Sequence, residues 1–251
     1  EVTDELIRDL EVFQPVGGLD EKLKDIYTDL STNVTRLYQR EDMHLFADLC
    51  FFSVLYFHFQ GKRMKGYSEL LLVGDPGQGK SELANCLIEH YKAGVRVDCK
   101  GATRAGLIGG QKEAAAKRSW IEWGVIPLND KKLVVLDEIK GMEQEVIAKL
   151  TDVRSSGIAE ITGIQKWKTH ARARLLWLSN PRTKRAIASF NYGVDSIKEL
   201  IGSLEDVRRF DLAMLVGSGE VPIEILNMPA EQRPKYPHKY TSELSSKLLM
   251  W

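Results

Sequence analysis

The stretch Glu69-Leu-Leu-Leu-Val-Gly-Asp-Pro-Gly-Gln-Gly-Lys-Ser81 decides how the rest of the chain is read. Its first half is a continuous apolar run of the kind that forms a parallel strand covered on both faces. Its second half fits G-x-x-x-x-G-K-[ST], and helical spacing follows from Ser81 to Tyr91. A strand that enters a glycine-rich turn and leaves it as a helix is the context this spacing needs to hold phosphate. The turn Gly74, Asp75, Pro76, Gly77, Gln78 and Gly79 aims backbone N–H groups inward, and the helix N-terminus adds positive potential. Lys80 then reaches the β- and γ-phosphates, and Ser81 can ligate magnesium.

A second apolar strand, Leu133-Val-Val-Leu136, ends in the two carboxylates Asp137 and Glu138. In an open parallel sheet the carboxyl ends of the strands face the ligand crevice. Asp137 is therefore expected to hold magnesium through water, and Glu138 to polarise the attacking water. Further strands are expected at 95–98 and 175–178, each separated by enough chain for a helical crossover, which predicts a mostly parallel α/β sheet flanked by helices. The 175–178 strand runs into Ser179-Asn180-Pro181, placing an amide where it can orient water or feel the γ-phosphate. Arg208-Arg209-Phe210-Asp211-Leu212 reads on its own as a basic pair at a strand start.

The remainder of the 251 residues narrows the choices less. Thirty-five basic against 35 acidic side chains give no overall field to steer nucleic acid, so any such contact must come from local loops. Cys50, Cys86 and Cys99 are scattered without zinc-ligand spacing and read as reduced core residues. The chain opens on Glu1 with no basic-then-apolar leader, and the apolar run 45–59 is too short to span a bilayer. These features predict an intracellular protein with no membrane and no zinc. The run 45–59 is expected to be a buried helix whose aromatic residues pack in the core. The expected organisation is an N-terminal helical segment over 1–60, with a linker at 61–66. An α/β core over 61–226 follows, and then a proline-rich connector leading to a final helix over 241–251.

Taken in order, these residues resemble the AAA+ P-loop ATPase module of the minichromosome maintenance (MCM) helicases, from about residue 60 to 215. The Gly74-Asp-Pro opening with Lys80-Ser81 is similar to the family's phosphate loop, with Gly79 where alanine is common. Ala102 to Leu107 followed by Trp120 to Asp130 looks like the segment carrying the family's helix-interrupting insertion. Ile139-Lys-Gly-Met142 departs from the usual phenylalanine and acidic residue before Lys-Met. Gly157 to Arg172 lies where the family carries its pre-sensor hairpin. Asn180 matches the sensor asparagine and Arg209 the arginine finger.

The resemblance implies ATP and Mg2+ as cofactors, and a ring, expected to be a hexamer, with active sites shared between subunits. It also implies single-stranded DNA in the channel contacted by Lys166 and Lys168. The 241–251 helix would begin the family's C-terminal lid, whereas the zinc-bearing DNA-binding collar has no counterpart in residues 1–60. A DNA-translocating motor is the leading reading. An AAA+ switch or remodeller acting on a protein partner is the alternative, because Trp167 lies between the two lysines. A non-catalytic nucleotide-binding scaffold is disfavoured by an intact Lys80, Asp137, Glu138 and Arg209.

Overall fold

In a computed structural model, which describes residues 3–113, 119–162, 166–183 and 185–250, the 69–81 stretch forms strand, turn and helix in the expected order. The chain begins with helices α1 (Asp4–Leu10), α2 (Leu19–Asp29) and α3 (Glu41–Phe51), then a hairpin of β1 (Tyr56–Phe59) and β2 (Lys62–Lys65). Strand β3 (Glu69–Gly74), helix α4 (Lys80–Tyr91) and strand β4 (Val95–Asp98) follow. Next come α5 (Arg104–Leu107), a hairpin of β5 (Gly109–Glu113) and β6 (Ser119–Trp123), and α6 (Val125–Leu128). Strand β7 (Leu133–Asp137) leads to α7 (Gln144–Lys149), α8 (Thr151–Ser156) and the hairpin of β8 (Ile158–Thr162) and β9 (Lys166–His170). The chain closes with β10 (Arg174–Ser179), α9 (Val194–Ile201), α10 (Leu204–Val207), β11 (Leu212–Val216), α11 (Ile223–Leu226) and α12 (Ser242–Met250).

Two compact units divide the chain, one of residues 53–78 and 94–218 and the other of residues 1–52, 79–93 and 219–251. The first carries a five-stranded sheet in the order β11-β3-β10-β7-β4, with every neighbouring pair parallel. All residues of β3 and β7 are buried, whereas β4 and β11 are only partly covered at the edges. Leu71, Val73, Val134, Leu136 and Trp177 join Ile147, Leu200 and Ile201 from the helices in one apolar cluster. Each fully buried side chain of this kind stabilises the fold by about 1.5–3 kcal/mol relative to exposure. The strands expected at 69–73, 95–98, 133–136 and 175–178 are present, and a fifth runs over Leu212–Val216. Helices α5 and α6 are separated by the β5–β6 hairpin, in the segment expected to interrupt a helix.

The expectation of one helical segment over 1–60, with a linker at 61–66, is corrected. Helix α3 stops at Phe51, and residues 56–65 form an antiparallel hairpin in which Phe59 pairs with Lys62. Gln60 and Gly61, the two loop residues, have φ of 48° and 76°. Positive φ at both central positions is the two-residue turn whose twist matches that of a hairpin, which is why Gln-Gly closes a ribbon here instead of breaking a helix. Tyr56, Phe57 and Phe59 are exposed, so only the first part of the 45–59 aromatic run is core.

The second unit is helical. α2 continues into a π-helical turn, Leu30–Thr35, that ends at Arg36 in the left-handed region (φ 57°). Tyr91 at the end of α4 packs at a tilt against Phe51 of α3 and donates a hydrogen bond from its hydroxyl to the buried carboxylate of Asp48 at 2.8 Å. Asp29, fully buried, accepts the backbone N–H groups of Lys239 and Tyr240 at 2.6 and 2.8 Å and pins the proline-rich connector. Ser242 then donates to the His90 carbonyl at 2.6 Å, and Ser245 bonds the His90 ring at 3.0 Å, so α12 lies on α4. Of the final helix expected to reach 251, the last residue lies outside the described residues.

Candidate nucleotide site

The carboxyl ends of β3, β7 and β10 gather the predicted residues Asp75, Asp137, Glu138 and Asn180 within the sheet unit. Asp75, just past β3, is 2% exposed and works as a clasp. Its carboxylate accepts the Ile187 N–H at 2.9 Å, the Ser218 N–H at 2.8 Å and the Ser218 hydroxyl at 2.9 Å, while its own N–H bonds the Val216 carbonyl at 3.0 Å. Three donors on one carboxylate brace the turn against the loops at 187 and 218.

The turn reverses at Gly77 and Gly79, whose φ of 80° and 78° side chains rarely adopt. A Cβ on Gly79 would also fall 2.6 Å from the Leu37 side chain. This crowding gives a local reason for glycine where the resembled family often has alanine. Lys80 opens α4 and is 7% exposed, with Ser81 the next residue of that helix. Donors at a helix N-terminus, glycines in the left-handed region and a buried lysine are what triphosphate requires, so these residues fit ATP.

Asp137 closes β7 at 2% exposure. Its Oδ1 accepts the Glu138 N–H at 2.8 Å, and its Oδ2 accepts Nε of Arg96, from neighbouring β4, at 2.8 Å. Glu138 has a left-handed backbone (φ 56°), a conformation that costs a side-chain-bearing residue about 1–2 kcal/mol and that is found where surrounding structure holds strain at a functional position. It turns the chain sharply off the strand, and the Glu138 carboxylate meets the Lys140 ammonium at 3.2 Å. Lys140 also donates its backbone N–H to the Ser179 hydroxyl at 3.1 Å, and that hydroxyl donates to the Asn180 carbonyl at 2.8 Å. The β7 and β10 ends are thereby tied together. Asp75, Pro76, Lys140, Asn180, Arg182 and Ser218 line a cavity of about 520 Å³ at these strand ends.

Arg209 lies elsewhere. It precedes β11, which runs parallel to β3 with Leu212 opposite Leu70, so it sits at the amino end of the sheet while Asp75, Asp137 and Asn180 sit at the carboxyl ends. Its Nη1 donates to the Ser155 hydroxyl.

Residues 20–219 match the family model described as the MCM P-loop domain. The chain belongs to the MCM family. Its fold is accordingly that of an AAA+ P-loop ATPase module, with the β5–β6 and β8–β9 hairpins added to a five-stranded parallel sheet. It is 27% identical over 180 residues to the "Minichromosome maintenance protein MCM" of Saccharolobus solfataricus, covering 67% of this chain and 26% of that protein. To the "DNA replication licensing factor MCM2" of Arabidopsis thaliana it is 29% identical over 111 residues, 43% of this chain and 12% of the relative. To the "DNA replication licensing factor MCM7" of Oryza sativa subsp. indica it is 28% identical over 124 residues, 48% and 17% respectively. The MCM chain thus spans about a quarter or less of the length of these relatives.

Lys166 and Lys168 lie in β9, opposite Thr162 and Glu160. Both pair with the Glu160 carboxylate, at 2.5 and 2.9 Å, and hold it below the usual carboxylate range. Residues 163–165 of the expected pre-sensor hairpin lie outside the described residues. Three residues of the MCM module escaped the sequence reading. Arg96 is indistinguishable in sequence from any polar residue of an edge strand, and Leu37 is remote from the loop it touches. Lys140 was visible only as a departure from the family pattern. No helix among the described residues is long and apolar enough to cross a membrane.

Proposed function

We propose that this MCM module hydrolyses ATP with Mg2+ at the seams of a ring, expected to be a hexamer, and uses the cycle to move single-stranded DNA through it. Lys80 and the Gly74–Gly79 turn would bind the triphosphate. Ser81 and Asp137 would hold the metal, Asn180 would sense the γ-phosphate, and Glu138 would activate water. Magnesium supplies charge neutralisation on the phosphates and needs oxygen donors, which a serine hydroxyl and a buried carboxylate provide.

One observation carries the shared-site reading: Arg209 and Asp137 occupy opposite ends of the same sheet. An arginine so placed is poorly suited to serve its own chain's nucleotide and well suited to offer its guanidinium to a neighbour's. Mixing Arg209→Ala protein with Lys80→Ala protein tests it. Each variant alone should keep only a small residual turnover, and the mixture should regain part of the ATPase activity, because some seams combine an intact loop with an intact finger. No regain in confirmed assemblies would remove the shared site.

The alternative, an AAA+ switch or remodeller acting on a protein partner, is favoured by one feature. Glu160 offsets both lysines of the β8–β9 hairpin and leaves Trp167 between them. ATPase rates with and without single-stranded DNA, read beside the mass in solution, separate the two. Stimulation of a ring by DNA supports the motor, and indifference supports the remodeller.

A further inference from the structure

Helix α8 holds a cation where none is cheap. The Arg154 side chain is 1% exposed and donates Nε to Glu69 Oε1 at 2.6 Å and Nη2 to the Asp206 carbonyl at 3.1 Å. Its Nη1 reaches Asp206 Oδ1 at 3.5 Å, and the guanidinium carbon lies 5.1 and 4.6 Å from the ring centroids of Trp177 and Phe210. Burial pushes the Glu69 carboxyl up to about 7, with Arg154 pulling it the other way. An apolar residue of similar volume would fill such a site at less desolvation cost, so a stability argument alone does not account for the arginine.

What the cluster touches next is Arg209. Asp206 accepts the Thr151 hydroxyl at 2.8 Å and lies 3.8 Å from Arg209 Nε. Ser155, adjacent to Arg154, donates its hydroxyl to the Thr151 carbonyl at 2.8 Å and accepts from Arg209 Nη1. One hydrogen bond to Ser155 therefore orients the guanidinium, with the Asp206 carboxylate at ion-pair distance on a neighbouring short helix, while about a third of the side chain (34%) stays exposed. Hairpin β8–β9 leaves the same helix at Gly157, so the hairpin and the Arg209 guanidinium are both attached to α8.

We infer that helix α8 positions the Arg209 guanidinium through Ser155 and the buried Arg154–Asp206 pair, making Ser155 and Asp206 positioning residues for hydrolysis on a neighbouring copy. The inference rests on the assignment of Arg209 as the finger. Removing Arg154 would strand two buried carboxylates, so the informative variant is at exposed Ser155. In the assembled protein, Ser155→Ala should lower kcat roughly tenfold, the loss of one hydrogen bond to a charged group. KM for ATP and the thermal midpoint should not change, and Ser155→Thr, which keeps the hydroxyl, should retain the wild-type kcat.

Placed on an Arg209→Ala background, Ser155→Ala should cost nothing further. Wild-type kcat in Ser155→Ala, or the same loss with and without Arg209, would overturn the inference. Full turnover in Arg209→Ala alone would instead sink the finger assignment beneath it.

Discussion

Arg96 Nε donates to Asp137 Oδ2 at 2.8 Å across the β4–β7 ladder, so the candidate metal-binding carboxylate carries a positive partner from its own sheet. Asp137 is nearly sealed from water, whereas the Arg96 side chain is about one-third exposed. The pair keeps a buried carboxylate compensated when no cation is bound.

Arg96→Met should therefore destabilise the protein by about 1–3 kcal/mol, the cost of leaving a buried acceptor without its donor. Magnesium with nucleotide supplies positive charge to the same carboxylate. The increase in thermal midpoint on adding Mg-ATP should be larger in the variant than in the wild type. An equal increase in both would separate Arg96 from the metal.

Glu138→Gln keeps the shape and the left-handed turn but cannot take a proton. Nucleotide binding, followed with a fluorescent ATP analogue, should be retained while steady-state turnover falls by about 10²–10⁴-fold. Normal turnover in this variant would remove Glu138 as the water-activating group.

Gly79→Ala imposes a left-handed residue and a contact with Leu37 at the last turn of the phosphate loop. Strain of about 1–2 kcal/mol is expected, measurable by denaturant unfolding, together with a raised KM for ATP. Adding Leu37→Ala should recover part of the loss, because it clears the contact without relieving the φ strain.

Burial raises the Asp48 carboxyl from 3.8 to about 7, with the Tyr91 hydroxyl opposing the shift. A folded-state value above the unfolded one means that the folded form holds its proton more tightly. Its stabilising contribution is thus complete below about pH 4 and is lost as pH rises through about 7. Asp48→Asn, which still accepts from Tyr91, should flatten this decline by an amount on the order of 3 kcal/mol between pH 4 and 8. Parallel unfolding curves for the two proteins across that range would contradict it.

The phosphate loop, the acidic pair and four of the five sheet strands were legible because each is a local pattern. Glycines at fixed spacing, an apolar run and a terminal carboxylate declare themselves within about ten residues. The 56–65 hairpin was missed because its aromatic residues look like core until the Gln60-Gly61 turn exposes them. The lysines of β9 could be located, but their shared partner Glu160 depends on strand register, which a one-residue slip would reverse.

By itself the sequence determined the family, the order of the strands along the chain and the spacing of the residues proposed to meet phosphate and metal. Only the tertiary structure decided that Arg209 stands at the opposite end of the sheet from Asp137, that Arg96 reaches Asp137, and that buried Arg154 and Arg209 share Asp206. These relations join residues tens of positions apart, and the parallel crossovers and side-chain packing that create them leave no periodic trace in the chain.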